Sequence, residues 1–227
     1  HGAVLSEYGH EVHAYDIDET RIAAYKSGEA DNIERYVNEP GLADIVAENV
    51  NRYLFFTTDI TDVVEETDVF FLCINTPPNR DGSTDMSYYL DAIHHLGGLL
   101  AQRRNKQRVV LVNKSTVPIG TARLLQSVME EHGVENFGVA SNPEFLAQGN
   151  AVEGSRRPDR IVIGADTLED MQILRRLYSQ FVNHVRIRYL ETTPETAEAI
   201  KYMSNTLLLT YICLLYTSPS PRDGLLS

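Results

Sequence analysis

The chain has 227 residues, of which 43% are hydrophobic and 23% are charged, and its formal net charge is −12. This composition is typical of one or two globular domains, and the negative charge argues against nucleic-acid binding as the main role. No apolar run approaches the roughly 18 residues that a membrane-spanning helix needs, so we expect no membrane partner. The two cysteines, Cys73 and Cys213, form no CxxC pair. We therefore expect a cytoplasmic protein without a disulfide framework.

Helix-like and strand-like segments alternate along the whole chain. In order, the pattern predicts helix 2–8, strand 11–15, helix 19–26, helix 42–48, strand 54–58, a short helix ending near 66, strand 69–74, helix 86–103, strand 108–113, helix 121–132, strands 137–140 and 160–163, helix 168–181, strand 185–189 and a helix from 194 onward. Such alternation is typical of an α/β fold with a mostly parallel sheet and helices on both faces. Ligands of these sheets bind beyond the carboxyl ends of the strands.

The first candidate site residue is Asp16, directly after strand 11–15. A carboxylate there can accept hydrogen bonds from the ribose of NAD and would repel the 2′-phosphate of NADP. Arg21 could cover the adenine or pair with the diphosphate. The alternative is that Asp16 only caps the next helix. The glycine fingerprint GxGxxG is not in the sequence, and we expect it, with the first strand, to precede His1.

Two further turns follow predicted strands. Asn75-Thr76-Pro77-Pro78 forms a rigid turn after strand 69–74 that could lie against a flat cofactor, or be a plain loop. The segment 114–121, KSTVPIGT, combines a lysine and hydroxyls before a helix, which suits anionic and polar ligands. Its alternative is a helix-capping turn.

A candidate general base, Glu144, stands behind the rigid Asn-Pro turn after strand 137–140. Its alternative is a first-turn glutamate that complements a helix dipole. Lys201 and Asn205, four residues apart on one helix face, could donate to one oxyanion or lie on an exposed face. Adjacent His94 and His95 face different directions, so we predict no metal site. We predict that Cys73 is a buried core thiol.

Eight stretches together resemble the UDP-glucose/GDP-mannose dehydrogenase family. They run in the family's order from about residue 2 to 209: YGHEVHAYDID, NEPGL, FTTD, INTPPNRDGSTDMSY, KSTVPIGT, SNPEFLAQG, PDRIVIG and ETAEAIKYMSNTLL. The resemblance implies a Rossmann-type, doubly wound domain over residues 1–190, with the start of a linking helix over 191–210. It also implies a two-step, NAD-dependent oxidation of a nucleotide sugar through a cysteine thioester.

The resemblance also implies roles for individual residues. Thr116 and Glu144 would position and activate water, Lys201 and Asn205 would stabilise an oxyanion, and Lys201 is also a candidate proton acceptor. Phe145 and Leu146 would contact the substrate together with Glu144, Lys201 and Asn205. The cofactor contacts would come from Asp16, Arg21, Ile74, Asn75, Thr76, Pro77, Pro78, Ser115, Thr116, Val117 and Gln148. Gln148 departs from the glutamate common in the family, which puts one cofactor contact in doubt.

We expect this chain to be a piece of a longer enzyme, inactive alone, because no segment resembles the family's catalytic-cysteine motif. We expect residues 211–227 to be non-native or disordered. NTPPNRDGSTD favours UDP-glucose as substrate, with GDP-mannose or a UDP-N-acetylhexosamine as alternatives, and the resemblance implies a homodimer or larger homo-oligomer. A methyltransferase also places an acid after its second strand, and a non-catalytic nucleotide-binding remnant is a further alternative.

Overall fold

The computed structural model describes residues 1–147, 149–182 and 184–218, except for the side chain of Asp62. Gln148 therefore lies outside the described residues, as does the 219–227 part of the predicted tail. The strands are β1 (Val12–Tyr15), β2 (Leu54–Thr57), β3 (Val69–Leu72), β4 (Val109–Asn113), β5 (Phe137–Ser141), β6 (Arg160–Ala165) and β7 (Arg188–Thr192).

The helices surround these strands. They are α1 (Gly2–Glu7), α2 (Glu19–Ser27), α3 (Ala30–Glu34), α4 (Leu42–Asn49), α5 (Thr61–Val64), α6 (Ser87–Ala101), α7 (Thr121–Glu131), α8 (Ala151–Arg156), α9 (Leu168–Leu177), α10 (Ser179–Val182) and α11 (Pro194–Thr217). Among the described residues no helix is long and apolar enough to cross a membrane.

The strands form two sheets. β1 and β2 pair in parallel, and the second sheet has the order β3-β4-β5-β6-β7. All neighbours in the larger sheet are parallel except β5 and β6, which are antiparallel. Within the described residues β1 pairs only with β2 and β3 only with β4, so each keeps one unpaired edge. The α/β class and the mostly parallel sheet are confirmed.

The structure corrects several predicted elements. The last strand is Arg188–Thr192 rather than 185–189, since Val185 is fully exposed in the turn before it. The predicted helix 168–181 is interrupted at Tyr178, which separates α9 from α10. Helices α3 and α8 were not predicted because they are too short to show a period. The helix predicted from 194 onward is α11, which extends to Thr217 and so includes the first residues of the predicted tail.

The core lies on both faces of the larger sheet, and β4 shows why. All five of its residues are buried, and the four apolar ones alternate between two clusters. Val109 and Leu111 face α6 and α7, whereas Val110 and Val112 face α9 and α10. A strand covered on both faces reads as a continuous apolar run, as VVLV does here. This layering holds the carboxyl ends of β3, β4 and β5 side by side, where the polar turns emerge.

Candidate cofactor and catalytic site

Asp16 leaves the carboxyl end of β1 and pairs with Arg21 on α2. Its Oδ2 accepts a hydrogen bond from Arg21 Nη1 at 2.7 Å, and its Oδ1 accepts one from the Asp18 amide at 3.0 Å. Asp18, not Asp16, caps α2, because its Oδ1 accepts from the amides of Thr20 and Arg21. The capping alternative for Asp16 is therefore wrong. Asp16 remains partly exposed at the strand end, where a ligand hydroxyl can reach it.

The turns that follow β3 and β4 are joined by hydrogen bonds. Thr76 Oγ1 donates to the backbone oxygen of Thr116 at 2.9 Å. Ser115 Oγ donates to the backbone oxygen of Ile74 at 2.7 Å. The structure thus brings together the two segments expected to line a cofactor, with Val117 buried beneath them and Thr116 exposed. The first turn, which includes Ile74 and Thr76, also contains exposed Asn75 and the prolines Pro77 and Pro78.

A buried lysine supports the turn that carries Glu144. Lys114, only 7% exposed, donates to Asn142 Oδ1 at 3.1 Å and lies within 3.4 Å of the Asn142 backbone oxygen. Burial lowers the pKa of Lys114. Asn142 also accepts from Tyr178 and donates to the Val162 backbone, so every polar group of this network has a partner. Such a network holds the Asn142-Pro143-Glu144 turn rigid.

Glu144 does not lie in the first turn of a helix, since α8 begins only at Ala151. Its carboxylate side chain is exposed, and its backbone oxygen accepts a hydrogen bond from Lys201 Nζ. The dipole alternative for Glu144 is therefore wrong. The structure brings Glu144 and Lys201 together although 57 residues separate them.

Lys201 also lies over the ring of Phe145, with Nζ 5.4 Å from the ring centroid. Burial first, and the charge of Arg160 in addition, lower the pKa of Lys201, while Glu144 acts in the opposite direction. Asn205 stands one turn further along α11 and is exposed. Leu146 packs against α8, where a Cβ added to Gly154 would lie 3.1 Å from Leu146 Cδ2.

Sequence reasoning missed Glu198, which is 3% exposed and sits one turn before Lys201. Its carboxylate accepts from the amides of Gly120 at 2.7 Å and Ala122 at 2.9 Å and from Ser141 Oγ at 3.2 Å. Burial raises the pKa of Glu198, and these hydrogen bonds oppose that rise. A small pocket is lined by Asn113, Ser115, Val117, Ser141, Pro143, Glu198 and Lys201. The sequence signal that could have found Glu198 is its position three residues before Lys201 on the same helix.

Two predictions concern residues outside this cluster. Cys73, directly after β3, is exposed, so the prediction of a buried core thiol is wrong. His94 contacts His132 rather than His95, with Nδ1 and Nε2 3.1 Å apart. Across the described part of the chain, no group of three metal-ligating side chains comes together.

Known proteins resemble this chain in sequence and in fold. Residues 1–182 match the UDP-glucose/GDP-mannose dehydrogenase family, NAD binding domain. The chain belongs to this family. Two bacterial relatives are similar over 94% of the chain. The chain is 36% identical to the UDP-glucose 6-dehydrogenase TuaD of Bacillus subtilis and 34% identical to the UDP-glucose 6-dehydrogenase of Pseudomonas aeruginosa. The matches cover 44% and 46% of those relatives, so the chain spans about half their length.

Solved structures of this dehydrogenase family have the same fold. A ternary complex of GDP-mannose dehydrogenase from Pseudomonas aeruginosa superposes with a TM-score of 0.83 at 29% identity, over 93% of this chain and 47% of that one. A UDP-glucose dehydrogenase from Pyrobaculum islandicum gives 0.81 at 33% identity, over 92% of this chain and 46% of that one. The Rossmann-type fold is therefore confirmed for this dehydrogenase domain.

The family's cofactor is NAD, and two features of the structure fit it. The partly exposed Asp16 carboxylate at the end of β1 offers acceptors for ribose hydroxyls. The exposed Thr116 and the Thr76 turn form a joined polar surface beyond β3 and β4. NAD-binding residues in such folds occupy these two kinds of position, beyond the carboxyl ends of the strands.

Proposed function

We propose that the chain is the cofactor half of an NAD-dependent nucleotide-sugar 6-dehydrogenase whose substrate is UDP-glucose. The observation that carries the proposal is the contact of Lys201 with Glu144. Lys201 also lines one pocket with Ser115 and Val117 of the turn after β4, and Glu144 and that turn lie within the residues that match the family's NAD-binding domain. The substrate is supported by relatives from Bacillus subtilis, Pseudomonas aeruginosa and Rhizobium meliloti that are UDP-glucose 6-dehydrogenases.

In this proposal Asp16 and Arg21 would hold the adenosine end of NAD, and the turns at 74–78 and 115–117 would hold the rest. When bound, NAD would supply the hydride acceptor for oxidation at carbon 6 of the sugar. Gln148 is a proposed further cofactor contact on the grounds of the family resemblance alone. The remaining steps would use side chains of this chain together with residues that correspond to the unmatched part of the relatives.

The chain's own residues manage water, protons and charge. Glu144 is exposed and can orient and deprotonate a water, with the Thr116 hydroxyl as a second contact. Lys201 and Asn205 lie on one face of α11 and can donate to an oxygen that becomes negative during the reaction. Because burial and Arg160 favour its neutral amine, Lys201 can also accept a proton. Phe145 and Leu146 provide the apolar contact to the sugar nucleotide.

We further propose that the 227-residue chain alone does not turn over. The family's thioester mechanism needs a cysteine in a motif that this sequence lacks, since Cys73 follows β3 and Cys213 is flanked by Ile212 and Leu214. The parent enzyme is proposed to be cytoplasmic and homo-oligomeric. Residues 211–227 are proposed to be non-native.

GDP-mannose is the second candidate substrate. The observation in its favour is that the GDP-mannose dehydrogenase structure superposes with a TM-score of 0.83, slightly above the 0.81 of the UDP-glucose dehydrogenase. The sequence identities favour UDP-glucose, at 33% against 29%.

The test begins with sequencing the source DNA across both ends of the reading frame. Protein expressed with the flanking codons is then assayed for NAD reduction with UDP-glucose, GDP-mannose and UDP-N-acetylmannosamine, beside the 227-residue chain. We expect two NAD reduced for each UDP-glucose in the extended protein and none in the chain alone. Turnover with GDP-mannose alone would identify GDP-mannose, not UDP-glucose, as the substrate. No turnover with any of the three, in a folded extended protein, would reject the dehydrogenase proposal.

Asp16 should determine the preference for NAD over NADP. Replacing Asp16 with serine removes the carboxylate that repels a 2′-phosphate, so the ratio of NAD to NADP affinity should fall by about tenfold. Saturation-transfer NMR or calorimetry with both nucleotides measures this ratio. The control is Asp18→Ser, which removes a neighbouring carboxylate but keeps a good N-cap for α2 and leaves Asp16 in place. An unchanged ratio in Asp16→Ser would remove Asp16 from cofactor selection.

A further inference from the structure

Arg160, the first residue of β6, lies beside the proposed catalytic lysine. Because β6 runs antiparallel to β5, its first residue reaches the edge where β4 and β5 end. The Arg160 guanidinium carbon is 4.1 Å from the centroid of the Phe145 ring, and Nη2 donates to Ser204 Oγ on α11 at 3.0 Å. Arg160 thus connects the loop of Glu144 with the helix of Lys201.

Two cations share the Phe145 ring. Arg160 and Lys201 lie within 4.1 Å and 5.4 Å of the same centroid, so the ring keeps two like charges close together. A cation over an aromatic face is attracted by the electrons of the ring. That attraction offsets part of the repulsion between the two charges. The remaining repulsion favours loss of a proton from Lys201, because the arginine stays protonated.

The guanidinium of Arg160 lies over the Phe145 ring and has few polar partners in the described structure. Arg160 Nε is buried and has no hydrogen-bond partner among the described residues. Within the described part of the chain, its contacts are the hydrogen bond to Ser204 and the ring of Phe145. A flat, delocalised guanidinium suits a stacked site, whereas a lysine ammonium does not reproduce the stack.

We propose that Arg160 is a positioning residue of the catalytic site, which aligns Phe145 with Lys201 and holds Lys201 ready to accept a proton. The proton-accepting role rests on the proposed function. The arrangement of Arg160, Phe145, Ser204 and Lys201 does not.

The charged groups around Lys201 support this assignment. Glu144 on the loop favours the protonated amine, whereas Arg160 on β6 opposes it, and burial acts in the same direction as Arg160 to lower the pKa of Lys201. Buried Lys114 on the far side of the Glu144 turn is a further cation, and its own pKa is lowered in part by Lys201. Glu198 lies one turn earlier on α11 and is engaged by the amides of α7. Arg160 is therefore the cation that acts most directly on Lys201.

The experiment measures the protonation of Lys201 in the 227-residue chain without any ligand. Trace acetylation over a range of pH, read by mass spectrometry on the Lys201 peptide, gives the midpoint at which the amine becomes reactive. Exposed Lys26 on α2 is the internal reference. We expect the Lys201 midpoint to lie below that of Lys26.

Arg160→Gln removes the neighbouring charge, so the midpoint of Lys201 should move up toward that of Lys26. At pH 8 its acetylation rate relative to Lys26 should fall about three- to tenfold. Arg160→Met is a second uncharged variant that keeps the stem, and Arg160→Lys keeps the charge and should retain most of the shift. The matched control is Arg188→Gln, since exposed Arg188 is the register partner of Arg160 on β7.

An unchanged Lys201 midpoint in folded Arg160→Gln or Arg160→Met would overturn the proposal. The same change in Arg188→Gln would also overturn it, because the effect would then come from general surface charge. Failure of the proposed function would appear as absent sugar-nucleotide oxidation in the extended protein and would leave this midpoint unaltered. The two failures are therefore distinguishable.

Discussion

Replacement of Asp170 by alanine is expected to lower the free energy of unfolding by about 3 kcal/mol. Asp170 is 1% exposed in the first turn of α9, and both of its oxygens accept from Arg108, at 2.7 Å and 2.9 Å. Thr167 Oγ1 also donates to it, and it packs directly on Gly138. Removing the carboxylate would leave the Arg108 guanidinium without its buried partner and open a void against β5. Urea unfolding followed by circular dichroism measures the change.

The neighbouring residue supplies the control for Asp170. Glu169 also reaches Arg108, at 3.5 Å, but its side chain is 66% exposed. Glu169→Ala should therefore cost less than about 0.5 kcal/mol, as exposed ion pairs do. Equal losses in the two variants would mean that burial does not set the strength of this contact.

Glu198→Ala is expected to lower the free energy of unfolding by about 2–3 kcal/mol, because it leaves the Gly120 and Ala122 amides without their acceptor. Gly120 is the N-cap of α7 and has no side chain to replace the lost acceptor. The loss should also loosen α11, which carries Lys201, against the turn after β4. Thermal unfolding and amide exchange at residues 120–122 are the measurements.

The pH dependence of this variant has a defined sign. Burial raises the pKa of Glu198 in the folded state, so its contribution to stability is full at acid pH, below the unfolded pKa, and declines as pH rises through the folded pKa. The destabilisation by Glu198→Ala should therefore be larger near pH 4 than near pH 8. Glu195→Ala is the control, since Glu195 joins the same two helices through Arg123 at the surface. It should cost less than about 1 kcal/mol.

Local sequence patterns predicted most elements because their apolar residues recur at strand or helix spacing. The apolar run at 108–113 predicted a strand, and the structure has β4 at Val109–Asn113 with all five residues buried. The last strand was placed three residues early, because VRIRY alternates as a strand does. The actual strand, Arg188–Thr192, is fixed by pairing with β6, which lies more than 20 residues away and has no local signature.

The candidate site was predictable only in its parts. The position of Glu144 after a strand and of Lys201 on a helix followed from local pattern, but their contact depends on where α11 returns to the sheet. Glu198 and Arg160 were missed for the same reason. Glu198 contacts Gly120 and Ser141, which are 78 and 57 residues away. Arg160 contacts Ser204, which is 44 residues away, and the ring of Phe145 in the preceding loop. Single-sequence periodicity carries no information about such pairs.

The unpaired edge of β3 has a consequence for how this chain behaves in concentrated solution. β7, at the opposite border of the same sheet, carries Arg188 and Glu191, and charges on a border strand discourage pairing with another molecule. β3 reads Val-Phe-Phe-Leu and carries none. An extended segment of a second molecule can therefore add to this border through backbone hydrogen bonds. Antiparallel pairing of two β3 edges would give a symmetric dimer that closes on itself, whereas pairing of β3 with a different segment of the second molecule would continue from one molecule to the next.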